Sequence, residues 1–187
     1  MHRGDPVTEA LNTKDQIALT MIELMGKKPM EKISVAEICE TCGVSRKSFY
    51  YHFKDKYDLV NWIFHTNLTR LLKNNENQSS FVEIFNQICE YLYDNRTFYA
   101  NALQVRGQNS FSDYFAEVME PVIVDFLKGY ISEGRDQEFF ITFYTDALRM
   151  SIKRWLLDDE GKRSPQEFVR LLGLAIKGIS ERLADVL

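Results

Sequence analysis

Residues 33–56 constrain the fold of this chain more than any other stretch. Ser34 stands three residues before Glu37, which is the capping-box spacing that begins a helix. Gly43 follows where a helix commonly ends in a left-handed turn. Ser45 can then cap a second short helix. The stretch therefore predicts a helix-turn-helix, an arrangement whose second helix normally lies in the major groove of DNA.

The second of these helices, predicted from Arg46 to about Phe53, separates apolar from polar side chains. Phe49 and Phe53 are four residues apart, so they share one face, which we expect to pack into the core. The remaining side chains are hydrogen-bonding groups suited to base edges and phosphates, with Lys54 among them at the far end. The predicted DNA contacts are Ser34, Ser45, Arg46, Lys47, Ser48, Tyr50, Tyr51, His52 and Lys56. The alternative is a solvated amphipathic helix without a ligand.

The same stretch carries a family resemblance. Its residues are Gly43-Val44-Ser45, Phe49-Tyr50-Tyr51-His52-Phe53, Lys56 and Leu59. This pattern, within residues 13–60, resembles the signature of the tetracycline-repressor (TetR) family. Cys42 departs from it, because a small residue is usual before the Gly-Val pair, and the departure concerns packing more than function. The C-terminal part, with an aromatic-rich helix ending in Trp155-Leu156, also resembles regulators associated with dihydroxyacetone kinase operons.

The resemblance implies a homodimeric transcriptional regulator that is helical throughout. Three N-terminal helices would bind DNA, and a variable C-terminal domain would bind a ligand and form the dimer. Phosphate contacts would come from Tyr50, His52 and Lys56. Base contacts would come from Arg46, Lys47, Ser48 and Tyr51.

The charge of the chain is acidic overall but basic where DNA contact is predicted. The net charge is −4. Residues 1–72 contain 10 Lys/Arg and 9 Asp/Glu, whereas residues 73–187 contain 13 and 18. Between Ser45 and Lys56 there are four basic residues and one acidic residue. Phosphate contact requires local positive charge, so the distribution is compatible with binding to one narrow face of a duplex.

Length and composition favour a globular, cytoplasmic protein. The chain has 187 residues with 45% hydrophobic and 27% charged residues, both ordinary values. No apolar run approaches the roughly 20 residues that a membrane helix needs, and the N-terminus lacks the apolar core of a signal peptide. The three cysteines do not form a disulfide framework. We therefore expect no membrane partner.

Helical periodicity predicts an all-α protein of about nine helices, with an N-terminal helix-turn-helix domain and a C-terminal helical domain. The first helix is predicted from a capping box formed by Thr13 and Gln16 to Gly26. The later helices are predicted at about 56–72, 81–94, 97–105, 112–132, 137–157 and 165–185. The polar residues 74–80 form the expected domain break. We therefore predict a DNA-binding domain over 1–60, a connecting helix over 56–72 and a regulatory and dimerisation domain over 73–187.

The last two helices are long and rich in apolar residues. They could complete the core of the monomer, or they could pair with a second copy in a four-helix interface, which the family resemblance favours. The predicted dimer residues are Phe140, Tyr144, Ala147, Trp155, Phe168, Leu172, Ala175, Ile179 and Leu183.

Aromatic residues are dense between residues 81 and 155, and most must form the core. By resemblance, some would line a pocket for a small-molecule effector. The candidates are Phe85, Tyr99, Gln104, Tyr114, Phe143 and Arg149. The chain could instead bind a partner protein.

The sequence contains no set of residues typical of an enzyme, and nothing in it points to a cofactor. Three histidines without a phosphate-binding loop or a nucleophile-base spacing give no catalytic constellation. Cys39 and Cys42 have C-x2-C spacing, but without a second pair we expect them to be packing residues, with a thiol switch as the alternative. We therefore predict a ligand-responsive repressor that binds a palindromic operator as a homodimer. The rival prediction is a co-activator or interaction subunit with weak DNA binding of its own.

Overall fold

The computed structural model describes residues 12–73, 81–105, 110–127, 137–158 and 163–184. Within these ranges it contains nine α-helices, one short 3-10 helix and no strand, which confirms the predicted all-α class. The α-helices are α1 Thr13–Lys27, α2 Val35–Cys42, α3 Arg46–His52, α4 Lys56–Lys73, α5 Phe81–Asp94, α6 Arg96–Gln104, α7 Phe111–Leu127, α8 Gln137–Asp158 and α9 Pro165–Ala184. The 3-10 helix spans Met30–Lys32, between α1 and α2.

The chain divides into two compact units, Met1–Ile63 and Phe64–Leu187. The division falls within α4. The polar residues 74–80, where we predicted the domain break, lie outside the described residues. The predicted domain limits therefore stay a prediction at that junction.

The first unit takes its shape from well-defined helix ends. Ser34 Oγ accepts a hydrogen bond of 3.1 Å from the amide of Glu37 at the start of α2. Gly43 ends α2 with a φ of 69°, a left-handed conformation that glycine adopts without steric cost. Ser45 Oγ accepts a bond of 3.1 Å from the amide of Ser48. The two helices of the motif and their tight turn form as the sequence predicts.

The start of α1 differs from the prediction by one residue. Asn12, and not Thr13, caps the helix, because Asn12 Oδ1 accepts a bond of 2.9 Å from the amide of Asp15. The first unit then closes around a small apolar core in which α1 packs on α2 and α2 packs on α3. Its buried side chains include Ile17, Met21, Leu24, Met30, Ile33, Ile38, Phe49, Phe53 and Leu59.

The second unit is built around aromatic side chains. The Tyr99 ring is fully buried, with the rings of Phe64 and Phe111 at centroid distances of 5.8 and 5.5 Å. The hydroxyl groups of Tyr91 and Tyr99 form a hydrogen bond with each other. In this unit α7 packs on α8, α6 on α7 and α8, and α5 on α9.

Across the described ranges, no helix is both long enough and apolar enough to span a membrane.

Candidate nucleic-acid interface

The outer face of α3 presents a cluster of polar and basic side chains to solvent. Arg46, Lys47 and Tyr50 are exposed, and Tyr51 is 84% exposed. At a helical turn of 3.6 residues these four positions lie on one side of α3. Within the described part of the chain, the side chains of Arg46 and Lys47 form no hydrogen bond or ion pair. The helix therefore brings donors together that are free to bond to another molecule.

The inner face of α3 fixes this orientation. Phe49 is fully buried and Phe53 is 2% exposed, so both anchor the helix in the core as predicted. The Phe53 ring also contacts the Trp62 ring edge-on at 5.5 Å, and the ammonium group of Lys14 lies 5.3 and 4.9 Å from the centroids of these two rings. An anchored apolar face leaves α3 with one possible outward side.

The remaining predicted contacts lie at the edges of this face. Ser34 and Ser45 are exposed at the N-terminal ends of α2 and α3, where unbonded amide groups favour anions. Ser48 and His52 are half-buried, and the His52 ring lies 5.0 Å from that of Tyr51. Nothing in this arrangement removes them from the predicted set, which stays a prediction.

Lys56 is the exception among the predicted DNA contacts. Its half-buried ammonium group donates hydrogen bonds to the backbone oxygens of Met30 and Ile33, both at 2.8 Å, and of Glu31 at 3.2 Å. Burial lowers the pKa of Lys56, and the carboxylates of Glu31 and Asp55 offset part of that effect. An ammonium has three donors, and all three have acceptors here. The predicted phosphate contact of Lys56 stays a prediction, although its three donors are all bonded within the protein in this structure.

The C-x2-C pair lies in α2, which packs on α3. Cys39 is buried and Cys42 is half-buried, with the Cys42 thiol 3.8 Å from the backbone oxygen of Cys39. Burial, and next the nearby Cys42, raise the pKa of the Cys39 thiol, which disfavours its thiolate form. The described residues contain no group of three His, Cys, Asp or Glu that could hold a metal ion.

The sequence of each unit matches a known family. Residues 21–63 match bacterial regulatory proteins of the tetR family. Residues 79–178, more than half of the chain, match a TetR family described as the transcriptional regulator C-terminal region. The chain belongs to the TetR family of transcriptional regulators. The resemblance predicted from the helix-turn-helix residues is thereby confirmed, and DNA binding is the activity that the TetR assignment supports.

The chain is also similar to individual transcriptional regulators of the TetR family. The HTH-type dhaKLM operon transcriptional activator DhaS of Lactococcus lactis subsp. lactis (strain IL1403) is 26% identical over 151 residues, which cover 78% of this chain and 80% of that protein. A solved structure of the dihydroxyacetone kinase operon activator DhaS has a TM-score of 0.60 at 20% identity, over 93% of this chain and 97% of that one. The TetR transcriptional regulator from Streptococcus agalactiae 2603V has a TM-score of 0.68 at 20% identity, over 84% and 89%. The predicted similarity to dihydroxyacetone kinase operon regulators is confirmed.

The structure does not bring all the predicted pocket residues of this TetR-family chain together. Phe85 and Tyr99 are buried, and the half-buried Tyr114 forms a hydrogen bond of 3.2 Å to His65. Arg149 is also half-buried, and it forms ion pairs with Asp113 at 3.2 Å and Asp146 at 2.8 Å.

Two of the six predicted pocket residues face solvent. Phe143 is 53% exposed. Gln104 is exposed, and its side chain bonds to the backbone oxygen of Ala100 in its own helix. Among the described residues neither side chain lines an interior pocket, and their assignment to an effector pocket stays a prediction.

The predicted TetR dimer residues also divide into two groups. Trp155 and Phe168 are buried within the protomer, where their rings stack with centroids 4.3 Å apart, and Trp155 Nε1 donates to the backbone oxygen of Arg163. These two predictions are therefore corrected, since both side chains belong to the core. Among the others, Ala147 and Ala175 are exposed and Phe140, Tyr144 and Leu172 are half-buried. The side chains of Ile179 and Leu183 lie outside those that the structure describes.

The most exposed apolar residues of the last two helices are not among the predicted dimer residues. On α8 these are Phe139 at 66%, Phe143 at 53% and Met150 at 42% exposure; on α9 they are Leu171 at 37% and Leu174 at 53%. We call these five residues the α8–α9 apolar face. The residues of α8 recur at spacings of four and seven, which is one side of a helix.

Proposed function

We propose that the chain binds a partly palindromic operator as a homodimer, through the outer face of α3. One short helix contacts only a few base pairs, so two copies one helical turn apart, roughly 34 Å, give useful specificity. In this proposal Arg46 bonds to a base edge, and a guanine is its best match because it offers O6 and N7 together. Lys47, Ser48 and Tyr51 complete the contacts to bases. Tyr50 and His52 bond to phosphates.

The single observation that carries this proposal is the exposed donor cluster on an anchored helix. Burial of Phe49 and Phe53 holds α3 in one orientation, while Arg46 and Lys47 extend into solvent without a described partner. Exposed cations with nothing to neutralise them favour an anionic partner, and DNA phosphates are the densest natural source of such charge.

The α8–α9 apolar face supports the homodimer. Large apolar side chains that cluster on a surface are costly to leave in water and commonly mark a protein interface. Phe139, Phe143 and Met150 share one side of α8, and Leu171 and Leu174 are exposed on α9. A second copy presents the same face, and an isologous contact would cover both at once. We therefore place the dimer contact on Phe139, Phe143 and Met150 of α8 with Leu171 and Leu174 of α9, next to the predicted Ala147 and Ala175.

An effector bound to the second unit would change operator affinity by preferring one of two arrangements of the dimer. Phe85, Tyr99, Tyr114 and Arg149 are the candidates that remain for contact with a small molecule. We propose repression as the outcome of operator binding. Activation is the second candidate, because the relative from Lactococcus lactis is by its name a transcriptional activator.

Selection of random duplex DNA on the purified full chain at physiological salt, followed by sequencing, tests the proposal. We expect an enriched inverted repeat whose half-sites are one helical turn apart. A reporter gene behind that repeat then separates repression from activation. Absence of any enriched sequence, from a folded dimer, would overturn the proposal and favour the interaction subunit with weak DNA binding.

A further inference from the structure

We infer that Lys56 is a positioning residue: it ties the two ends of the helix-turn-helix stretch together and does not itself contact DNA. The inference rests on the proposed DNA binding, because it states which residue holds the α2–α3 pair in shape for that contact. The predicted contact set contains two lysines, Lys47 and Lys56, and only Lys56 is half-buried. We therefore assign Lys56 a role within the protein.

The three hydrogen bonds of Lys56 meet at one short segment of backbone. Their acceptors are Met30, Glu31 and Ile33, which form the 3-10 helix and the residue that ends it. The Met30 oxygen also accepts a bond of 3.1 Å from the amide of Ile33, so Lys56 adds a second donor to a carbonyl group that closes the 3-10 turn. A carbonyl oxygen has two lone pairs and can accept both bonds. The Tyr57 ring, 5.6 Å from the ammonium nitrogen, covers it from another direction.

These bonds close a loop of chain around the DNA-binding helices. Lys56 and its acceptors are 23 to 26 residues apart in sequence, and α2 and α3 lie between them. The bonds therefore join the segment that leads into α2 to the residue that begins α4. With both ends fixed, α3 has less freedom to tilt relative to the rest of the unit.

The lysine itself is held by the cap of α4. Asp55 Oδ1 accepts hydrogen bonds of 2.8 Å from the amides of both Tyr57 and Asp58. Asp58 Oδ2 in turn accepts a bond of 2.9 Å from the amide of Lys54. This reciprocal cap fixes the backbone on either side of Lys56, so its side chain leaves the helix from a defined point.

Substitution by arginine separates a positioning role from a phosphate contact. Arginine keeps the positive charge and binds phosphate at least as well as lysine. Its planar guanidinium group cannot direct three donors from one nitrogen toward three carbonyl oxygens. A phosphate contact thus tolerates Lys56→Arg, and a positioning role does not.

The experiment compares Lys56→Arg and Lys56→Ala with Lys54→Ala in the full chain. Lys54 is exposed and only two residues away, so it is a matched basic control. For each variant we would measure the thermal midpoint of unfolding and the slope of log Kd against log salt on the selected duplex. We expect both Lys56 variants to lower the midpoint by about 4 °C or more, and to weaken binding about tenfold. The salt slope of both variants should remain that of the original chain.

The Lys54→Ala control shows the result expected when a phosphate contact is lost. Loss of a phosphate contact reduces the salt slope by about 0.9. Lys54 is not in the predicted contact set, but its exposed side chain is suited to phosphate, so we expect Lys54→Ala to reduce the slope without lowering the midpoint. A reduced slope and an unchanged midpoint for Lys56→Ala, with full binding by Lys56→Arg, would overturn the inference. If Lys56→Ala does not fold, the unfolding midpoint and the salt slope of Lys56→Arg decide between the two roles. If the original chain binds no duplex, the proposed function fails, and the unfolding midpoints alone still decide the role of Lys56.

Discussion

The outer face of α3 and the α8–α9 apolar face are both exposed, but they differ in chemistry. The first presents Arg46 and Lys47, which are well hydrated and gain most from an anion. The second presents large apolar side chains such as Phe139 and Phe143, which gain from removal from water. Exposure alone therefore says little about a partner. The kind of atom exposed distinguishes a nucleic-acid surface from a surface for a second protein chain.

The two faces also depend on each other in the proposed function. The α3 helix has seven residues and contacts few base pairs alone, so operator specificity requires that the apolar face bring a second α3 into place. Substitutions on the outer face of α3 should therefore weaken contacts with DNA directly. Substitutions on the α8–α9 apolar face should weaken DNA binding through loss of the dimer.

Removal of the aromatic anchor of α3 should have the largest effect. Phe49→Ala leaves a cavity beneath a fully buried ring, and we expect it to lower the free energy of unfolding by about 3–5 kcal/mol. Urea unfolding followed by circular dichroism measures this. Tyr51→Ala, on the exposed side of the same helix, is the control and should change stability by no more than about 0.5 kcal/mol. Equal losses from the two variants would contradict the orientation of α3.

Charge placed on the α8–α9 apolar face should separate the protomers. Phe143→Glu combined with Leu174→Glu should weaken association by about 2 kcal/mol or more per site, because a buried carboxylate lacks a partner there. Sedimentation velocity gives the fraction of dimer. Val82→Glu is a matched control, since Val82 is 55% exposed on α5 and lies outside this face. A double variant that stays dimeric, or a control that dissociates equally, would move the interface elsewhere.

Substitution of the serine caps of α3 and α9 should have a smaller effect on stability, and one of similar size in the two helices. Ser45 and Ser164 accept similar amide bonds, of 3.1 and 3.2 Å, from residues three positions later. Replacing either with alanine should cost about 1 kcal/mol of stability. Only Ser45→Ala should also weaken operator binding, which fluorescence anisotropy would measure. Loss of DNA affinity in Ser164→Ala at equal stability would show that the two regions are not separable in this way.

Local chemistry explains what the sequence could predict. The caps at Ser34, Ser45 and Ser164 and the turn at Gly43 each depend on residues within three or four positions, so a linear pattern identifies them. The cap of α1 was missed by one residue because Asn12 and Thr13 are adjacent and both residue types cap helices well. Helix bounds and the outward side of α3 followed from the same kind of information.

Contacts distant in sequence explain what could not be predicted. The acceptors of Lys56 are backbone oxygens 23 to 26 residues upstream, and no side-chain pattern marks them. On α8, the segment EFFITFY has aromatic residues on more than one side, so periodicity does not decide which side faces the core. The structure exposes Phe139 and Phe143 and leaves Phe140 and Tyr144 half-buried.

Selection of duplex DNA on the Arg46→Ala variant, beside the original chain, tests most directly whether α3 reads the bases. We predict an inverted repeat of unchanged spacing, with sequence preference relaxed at one position in each half-site and a loss of about 1–3 kcal/mol in binding free energy. The same preference at every position, with binding uniformly weaker or unchanged, would contradict the claim that α3 reads the bases.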